Sequence, residues 1–275
     1  MAYHDLGEGA LDYVPCRYGK SKLLFRGPKR RLDTSYVAVL GGTETYGKFV
    51  ASPYPALTEE LIGGPVVNFG QVNAGIDVFA NDETVMQAAS GAAVSVVQVM
   101  GAQNLSNRFY AVHPRRNDRF LRASALLKTI YREVDFTEFN FTRHLLAALK
   151  AKDPDMFALV ETELKEAWVA RMRSLVSKIR SRVVLLWLAD HAPDDCTSCP
   201  GDGAEPLFVD RDMIEAVRPY VAAVVEVVVS ADEIADGSAG LVYGEMEEPA
   251  AQGLLGVTAH DKAARALHPV LARLL

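Results

Sequence analysis

No stretch of this sequence approaches the ~18 consecutive apolar residues that a bilayer-crossing helix needs. The longest apolar runs, such as "VVLLWLA" (Val183–Ala189), suit buried strands. The opening "MAYHDLGEGALDY" has no basic segment followed by an apolar stretch, so no secretory leader is read there. Three cysteines are too few for a disulfide framework. Positive charge is not in excess: the net charge is −6, so general attraction to nucleic acid is not expected. No internal repeat is evident. These absences lead to the expectation of a soluble cytoplasmic protein without nucleic-acid or membrane partners.

What is present is the composition of an ordinary folded globule, 49% hydrophobic and 23% charged over 275 residues. Five short apolar runs rich in β-branched residues read as buried parallel strands: "YVAVL" (Tyr36–Leu40), "PVVNF" (Pro65–Phe69), "VSVVQVM" (Val94–Met100), "RVVLLWL" (Arg182–Leu188) and "VAAVVEVVV" (Val221–Val229). Helical patterns separate most of them, in "ALTEELI", "DETVMQAAS" and "DRDMIEAVRPY". A last helix, "HDKAARALHPVLARLL", closes the chain. This alternation predicts a three-layer α/β/α sandwich around a five-stranded parallel sheet, flavodoxin-like in plan.

The interval between the third and fourth runs is too long for one crossover. It holds "RASALLKTIYREV", "TRHLLAALKA" and a long amphipathic helix from about Pro154 to Ser181. In that helix Phe157, Val160, Leu164, Trp168, Met172, Leu175 and Ile179 recur at helical spacing. The expected organisation is an N-terminal arm (1–35) followed by one α/β domain (36–275) with a helical insertion at about 109–182. Two basic islands, "RGPKRR" (Arg26–Arg31) and "HPRRNDRFLR" (His113–Arg122), read as solvated faces or as an anion-facing rim.

Sites in open α/β sheets form beyond the carboxyl ends of strands, which directs attention to "VAVLGGTETYGKF". Read as Gly42-x-x-x-x-Gly47-Lys48, the turn approaches a phosphate-cradling P-loop, but Phe49 stands where a metal-binding Ser or Thr is needed. A nucleotide-dependent transferase is one reading. The strand-end segments taken in order support another. "LGGTETYG" puts Thr43 on the turn after the first strand; "NFGQVNAGID" supplies Gly75, with Asn73 as the alternative register. "MGAQN" supplies Gln103 and Asn104, and "TAHDKAARALHPVL" puts His260 ahead of the last helix.

Those four blocks resemble the SGNH, or GDSL-type, hydrolase superfamily, with Thr43 at the position of the nucleophilic serine. The resemblance covers the core but neither the arm nor the insertion. It implies an ester or acyl hydrolase, or an acyltransferase, with Thr43 and His260 as the catalytic pair. Gly42, Gly75, Gln103, Asn104 and Arg108 would then lie near the oxyanion or the ligand, since a hydroxyl needs an adjacent base and the developing charge needs fixed donors. Three departures point to a divergent member: threonine for serine, Gly42 for the usual aspartate, and Val257 where an aspartate would orient the histidine. Two further stretches, "ALDYVPCRYGKSKLLFRGPKR" and "SNRFYAVHPRRNDRFLRAS", resemble a bacterial family with no assigned activity.

The residues alone leave other outcomes open. Thr43 could simply cap a helix, and the same cleft could bind a carbohydrate or an anion without catalysis. Arg108, Arg115 and Arg116 follow the third strand and would favour an anionic or sugar-linked ligand. Asp190 and His191, at the exit of the fourth strand, are a reserve acid–base pair. "HAPDDCTSC" sets Cys196 and Cys199 in metal-like spacing, but a second ligand pair is lacking, so neither metal nor cofactor is expected. The expected partner is a small or carbohydrate-linked substrate, and homo-oligomers are compatible with the long amphipathic helix.

Overall fold

The computed structural model describes residues 11–195 and 205–275. Its centre is a five-stranded parallel sheet in the order β2-β1-β3-β6-β7. The strands are β1 (Val37–Leu40), β2 (Val66–Asn68), β3 (Val94–Gln98), β6 (Arg182–Ala189) and β7 (Ala223–Val228), with an antiparallel hairpin, β4 (Tyr110–His113) and β5 (Arg116–Ala123), lying outside the sheet. The helices are α1 (Thr43–Tyr46), α2 (Tyr54–Ile62), α3 (Ile76–Ala80), α4 (Glu83–Gly91), α5 (Ala125–Ile130), α6 (Thr142–Lys152), α7 (Pro154–Lys178), α8 (Arg211–Val217), α9 (Ala231–Ser238), α10 (Glu248–Ala251) and α11 (Val257–Leu274). The α/β expectation and its five strands hold. Each apolar run overlaps one strand of the central sheet, β6 running one residue further, to Ala189.

Alternation along the strands divides the core into two layers. Val37, Val39, Val94, Val96, Val184, Leu186 and Leu188 pack with Tyr54 of α2 and with Ala259, Ala263, Leu267 and Leu271 of α11. Ala38, Leu40, Val97, Val183, Leu185 and Trp187 face the other way, toward α4, α7 and α8. The predicted stripe of α7 is buried from Phe157 to Leu175, and the indole N–H of Trp168 donates to the Met100 carbonyl at 2.7 Å. That bond fixes the long helix to the chain leaving β3. It uses the one polar atom of a fully buried side chain.

The insertion is not purely helical. "HPRRNDRFLR" makes the turn and second strand of the β4–β5 hairpin, whose register shifts at Ala111, Val112 and His113. Those irregularities break the alternation by which a strand is read from sequence, so Asn117, Phe120 and Ala123 turn inward at three-residue spacing. Ser124 then caps α5 by accepting the Leu127 N–H, which shortens the helix read across "RASALLKTIYREV" to six residues.

The arm packs into the same core. Tyr18, Leu23 and Phe25 are buried, and Phe25 meets Phe69 edge-on at 5.1 Å. Arg26 is buried too, and its guanidinium donates to the carbonyls of Tyr46, Gly47 and Ala51. Arg30 pairs with Glu59 and Arg31 with Asp33. "RGPKRR" is therefore an internal clamp and two ion pairs, and its arginines do not form an open anionic-ligand rim. Among the described residues no helix is long and apolar enough to cross a membrane.

Candidate functional site

In the order 2-1-3-6-7 the crossover direction reverses between β1 and β3, which opens a crevice beyond their carboxyl ends. The chain leaves β1 through Gly41 and Gly42 into α1. A Cβ on Gly41 would come within 2.0 Å of Thr45 Oγ1 and 2.5 Å of Gln98 Oε1, so only glycine fits there. Gln98, the last residue of β3, is buried and reaches across to this turn. Its Oε1 accepts the N–H groups of Gly42 (3.0 Å) and Thr45 (3.2 Å) and the Thr45 hydroxyl (2.6 Å). Its Nε2 donates to Glu44 Oε2 at 2.8 Å.

This network decides the P-loop question. A phosphate cradle presents free helix-start N–H groups, whereas here Gly42 and Thr45 donate to a side-chain amide. Lys48 turns away, with Nζ 4.6 Å from the centroid of the Phe49 ring. The turn is held closed by the protein itself.

The resulting cleft has a volume of about 270 Å³. Its walls include Gly42, Thr43, Glu44, Asn73, Asn104, Arg143 and Glu205, with Gln98, Met100 and Leu254 alongside. Thr43 Oγ1 accepts the Asn73 N–H at 3.0 Å and donates to Asn73 Oδ1 at 3.3 Å. Asn73 sits at φ +54°, a left-handed conformation that Asn tolerates better than most residues. Asn104 Nδ2 donates to the Asn73 carbonyl, and its Oδ1 accepts from Thr142. Glu205 Oε1 accepts from Arg143 and from Gln103 Nε2, both at 2.6 Å. Glu44 is half-buried, and that burial holds its carboxyl above the usual carboxylate range. The Gln98 bond opposes the rise; Glu205 adds to it and Arg143 offsets it.

The expected site residues divide. Thr43, Gly42 and Asn104 meet in the cleft, and Gln103 stands behind it, bonded to Glu205. Gly75 is next to it, but its N–H donates to Asn117 Oδ1 at 3.2 Å and is not presented as an oxyanion donor. Arg108 does not line the cleft; it pairs with Glu163 of α7. Arg115 borders a separate depression beside Lys20 and Lys22. Asp190 and His191 bond to each other at 2.6 Å, and neither lines the cleft. Cys196 and Cys199 lie outside the described residues.

His260 departs furthest from expectation. Helix α11 starts at Val257, so His260 stands inside its first turn and not on the loop before it. The ring is 1% exposed and stacks on Tyr54. Nδ1 accepts the Tyr54 N–H at 3.0 Å, and the ring also bonds the Leu255 backbone. Burial, helped by the charge of Arg26 and opposed by the Leu255 bond, brings its pKa down to about 3. The lone pair a general base needs is already used, and no hydrogen bond joins His260 to Thr43 among the described residues.

Four cleft residues escaped the sequence reading. Gln98 had a signal, as a polar residue ending an apolar strand, and Glu44 stood beside the recognised Thr43. Glu205 had only its place in the stretch between β6 and α8, and Arg143 had no signal, since helix α6 adjoins no strand-end motif.

Residues 1–275 match the model of one family, described as "Domain of unknown function (DUF6473)". The chain belongs to that family. No curated protein matches it. Among solved structures it is similar to the lipase Lip_vut3 from a goat rumen metagenome, at 13% identity and a TM-score of 0.37, with 88% of this chain and 97% of that one covered. It is also similar to BT4096, a gut microbial diltiazem-metabolizing enzyme, at 13% identity and a TM-score of 0.35. There 90% of this chain is covered but 47% of the other, so the chain spans about half the length of that enzyme. Both likenesses are too remote to transfer chemistry from those proteins to this one.

Proposed function

We propose that this chain is a hydrolase-like protein of SGNH type with a remodelled centre, and that its cleft takes a small, neutral, hydroxyl-bearing molecule such as a sugar or a sugar-linked ester. The observation that carries this reading is the composition of the crevice between β1 and β3. It gathers a hydroxyl (Thr43), two amides (Asn73, Asn104), two carboxyl groups (Glu44, Glu205) and one guanidinium (Arg143) already paired with Glu205. Such a wall offers donors and acceptors in mixture, as hydroxyl groups require. It carries no surplus positive charge, so an anionic ligand would meet like charge without compensation.

The test is calorimetric titration of the full chain with neutral monosaccharides, including glucose and N-acetylglucosamine, alongside inorganic phosphate, and a parallel assay of p-nitrophenyl acetate hydrolysis. Sugar binding that weakens at least tenfold in Asn73→Ala, with no phosphate binding, supports the reading. Phosphate binding that Asn73→Ala leaves intact would overturn it.

A further inference from the structure

The geometry points to Glu44, oriented by Gln98, as the acid–base group that activates water in this cleft, with Thr43 a ligand contact and not the nucleophile. This inference rests on the hydrolase reading given above and names the group that does the work His260 does not do.

The orientation of the Gln98 amide is forced. One of its ends meets two backbone N–H groups and the Thr45 hydroxyl at 2.6 to 3.2 Å. Backbone N–H groups can only donate, so that end is the oxygen, and the NH₂ must lie at the other. There it meets Glu44 Oε2 at 2.8 Å. The Thr45 hydroxyl is itself bonded to Tyr54 OH at 2.6 Å, which ties the amide into the buried core. Glu44 therefore hangs from a rigid support. No ion pair holds it among the described residues, and besides Gln98 only its own backbone N–H donates to it. It keeps acceptor capacity for a water in a cleft with room for a ligand.

Thr43 is set up differently. Its hydroxyl is committed to the N–H and the side-chain oxygen of Asn73, an amide with no basic lone pair. A threonine nucleophile needs a base to take its proton, and neither His260 nor His191 reaches it. In the proposed step a cleft water gives a proton to the Glu44 carboxylate as its oxygen bonds to the ester carbonyl carbon. When the tetrahedral adduct collapses, the bond to the alcohol oxygen breaks and Glu44 returns the proton to that oxygen. One ester and one water become one acid and one alcohol, with no redox change.

The experiment follows p-nitrophenyl acetate turnover by the full chain across pH for wild type, Glu44→Gln, Thr43→Ala and Gln98→Met. Glutamine at position 44 can still accept from Gln98, so this variant retains the support and removes only the proton transfer. The expected result is a loss of about 100-fold or more in Glu44→Gln, in the range of general-base contributions, and less than about tenfold in Thr43→Ala. In Gln98→Met the acid limb of the rate profile moves to higher pH, because the carboxylate has lost a donor that favours its charged form. A purely structural role for Gln98 would lower the rate without moving the limb. Should Gln98→Met not fold, the Glu44→Gln and Thr43→Ala pair still decides. Turnover that survives in Glu44→Gln and vanishes in Thr43→Ala overturns the assignment of Glu44 while leaving the hydrolase reading intact. Absence of turnover in the wild type overturns the hydrolase reading and the assignment with it.

Discussion

His260 Nδ1 accepts the backbone N–H of Tyr54 at 3.0 Å, joining the first turn of α11 to the first turn of α2 across 206 positions of sequence. Pro53, the residue before α2, has no side chain able to cap it, so the imidazole does from a distance what a Ser or Asp does locally. The two helices cover the same face of the sheet, and the ring is a fixed part of their interface.

This arrangement makes His260 a source of acid sensitivity. Its folded pKa is pushed down to about 3, whereas the same residue unfolded titrates near 6.5. Between those values the unfolded chain binds the extra proton, so stability is complete above about pH 6.5 and falls as pH drops toward 3. The expected slope from this residue is about 1.4 kcal/mol per pH unit. Urea unfolding between pH 7 and pH 4.5 measures it. In His260→Gln, which can still accept the Tyr54 N–H but does not titrate, the slope flattens. An unchanged slope would mean that the ring is not held neutral.

The contrast between this residue and the sheet shows what a sequence discloses. Five apolar runs located five strands because burial on both faces marks nearly every residue of β1, β3 and β6, and the edge strand β7, though half-exposed, keeps a β-branched run. The turn after β1 was visible for the same reason, as a glycine pair at the end of such a run. The direction of the His260 ring leaves no local mark. Starting the last helix one turn earlier, at Val257, makes His260 part of the helix and not of the loop before it, and only contact with α2 decides that its face is buried. The hairpin was hidden by its bulges, Arg143 reaches the cleft from a helix with no sequence tie to it, and Glu205 stands sixteen positions past the end of β6, where nothing local marks it as facing the cleft.

The arginines of "RGPKRR" are expected to differ sharply on substitution. Arg26 binds three carbonyls at and beyond the end of α1 from a buried position, and Arg26→Met removes that donor from all three, the Gly47 carbonyl keeping only the Val50 N–H. A loss of about 2–4 kcal/mol follows, with loosening of the Gly42–Gly47 turn. Arg30→Ala breaks a partly exposed pair with Glu59 and is expected to cost under about 1 kcal/mol. Chemical denaturation of the two variants side by side measures the difference. Equal losses would refute the clamp.

Two glycines offer a second contrast. A Cβ on Gly75 would lie 1.7 Å from the Asn104 carbonyl oxygen, backbone that cannot move without shifting the cleft wall. Gly63 has a positive φ of 64° but open space around it. Gly63→Ala is therefore expected to cost about 1–2 kcal/mol through backbone strain alone. Gly75→Ala is expected to cost more than about 3 kcal/mol and to displace the amide resonances of Asn73 and Asn104. Nuclear magnetic resonance spectra of the two variants check the second effect, which Gly63→Ala should not produce.

Thr43 and Asn73 give the last prediction. The Thr43 hydroxyl takes the N–H of Asn73, whose φ of +54° lies in the sparsely populated left-handed region. Without that acceptor the Asn73 loop has less reason to hold its conformation. Thr43→Val preserves the shape of the side chain and removes the hydroxyl, and because the site is half-exposed, water replaces part of the bond. Net loss is expected at about 0.5–1.5 kcal/mol, while hydrogen exchange at the Asn73 amide quickens about tenfold, the equivalent of 1.4 kcal/mol of local opening. Thr43→Ser keeps the oxygen and should leave exchange near the wild-type rate. If valine leaves exchange at the wild-type rate while serine quickens it, the hydroxyl does not hold the loop, and the methyl group of Thr43 carries the packing instead.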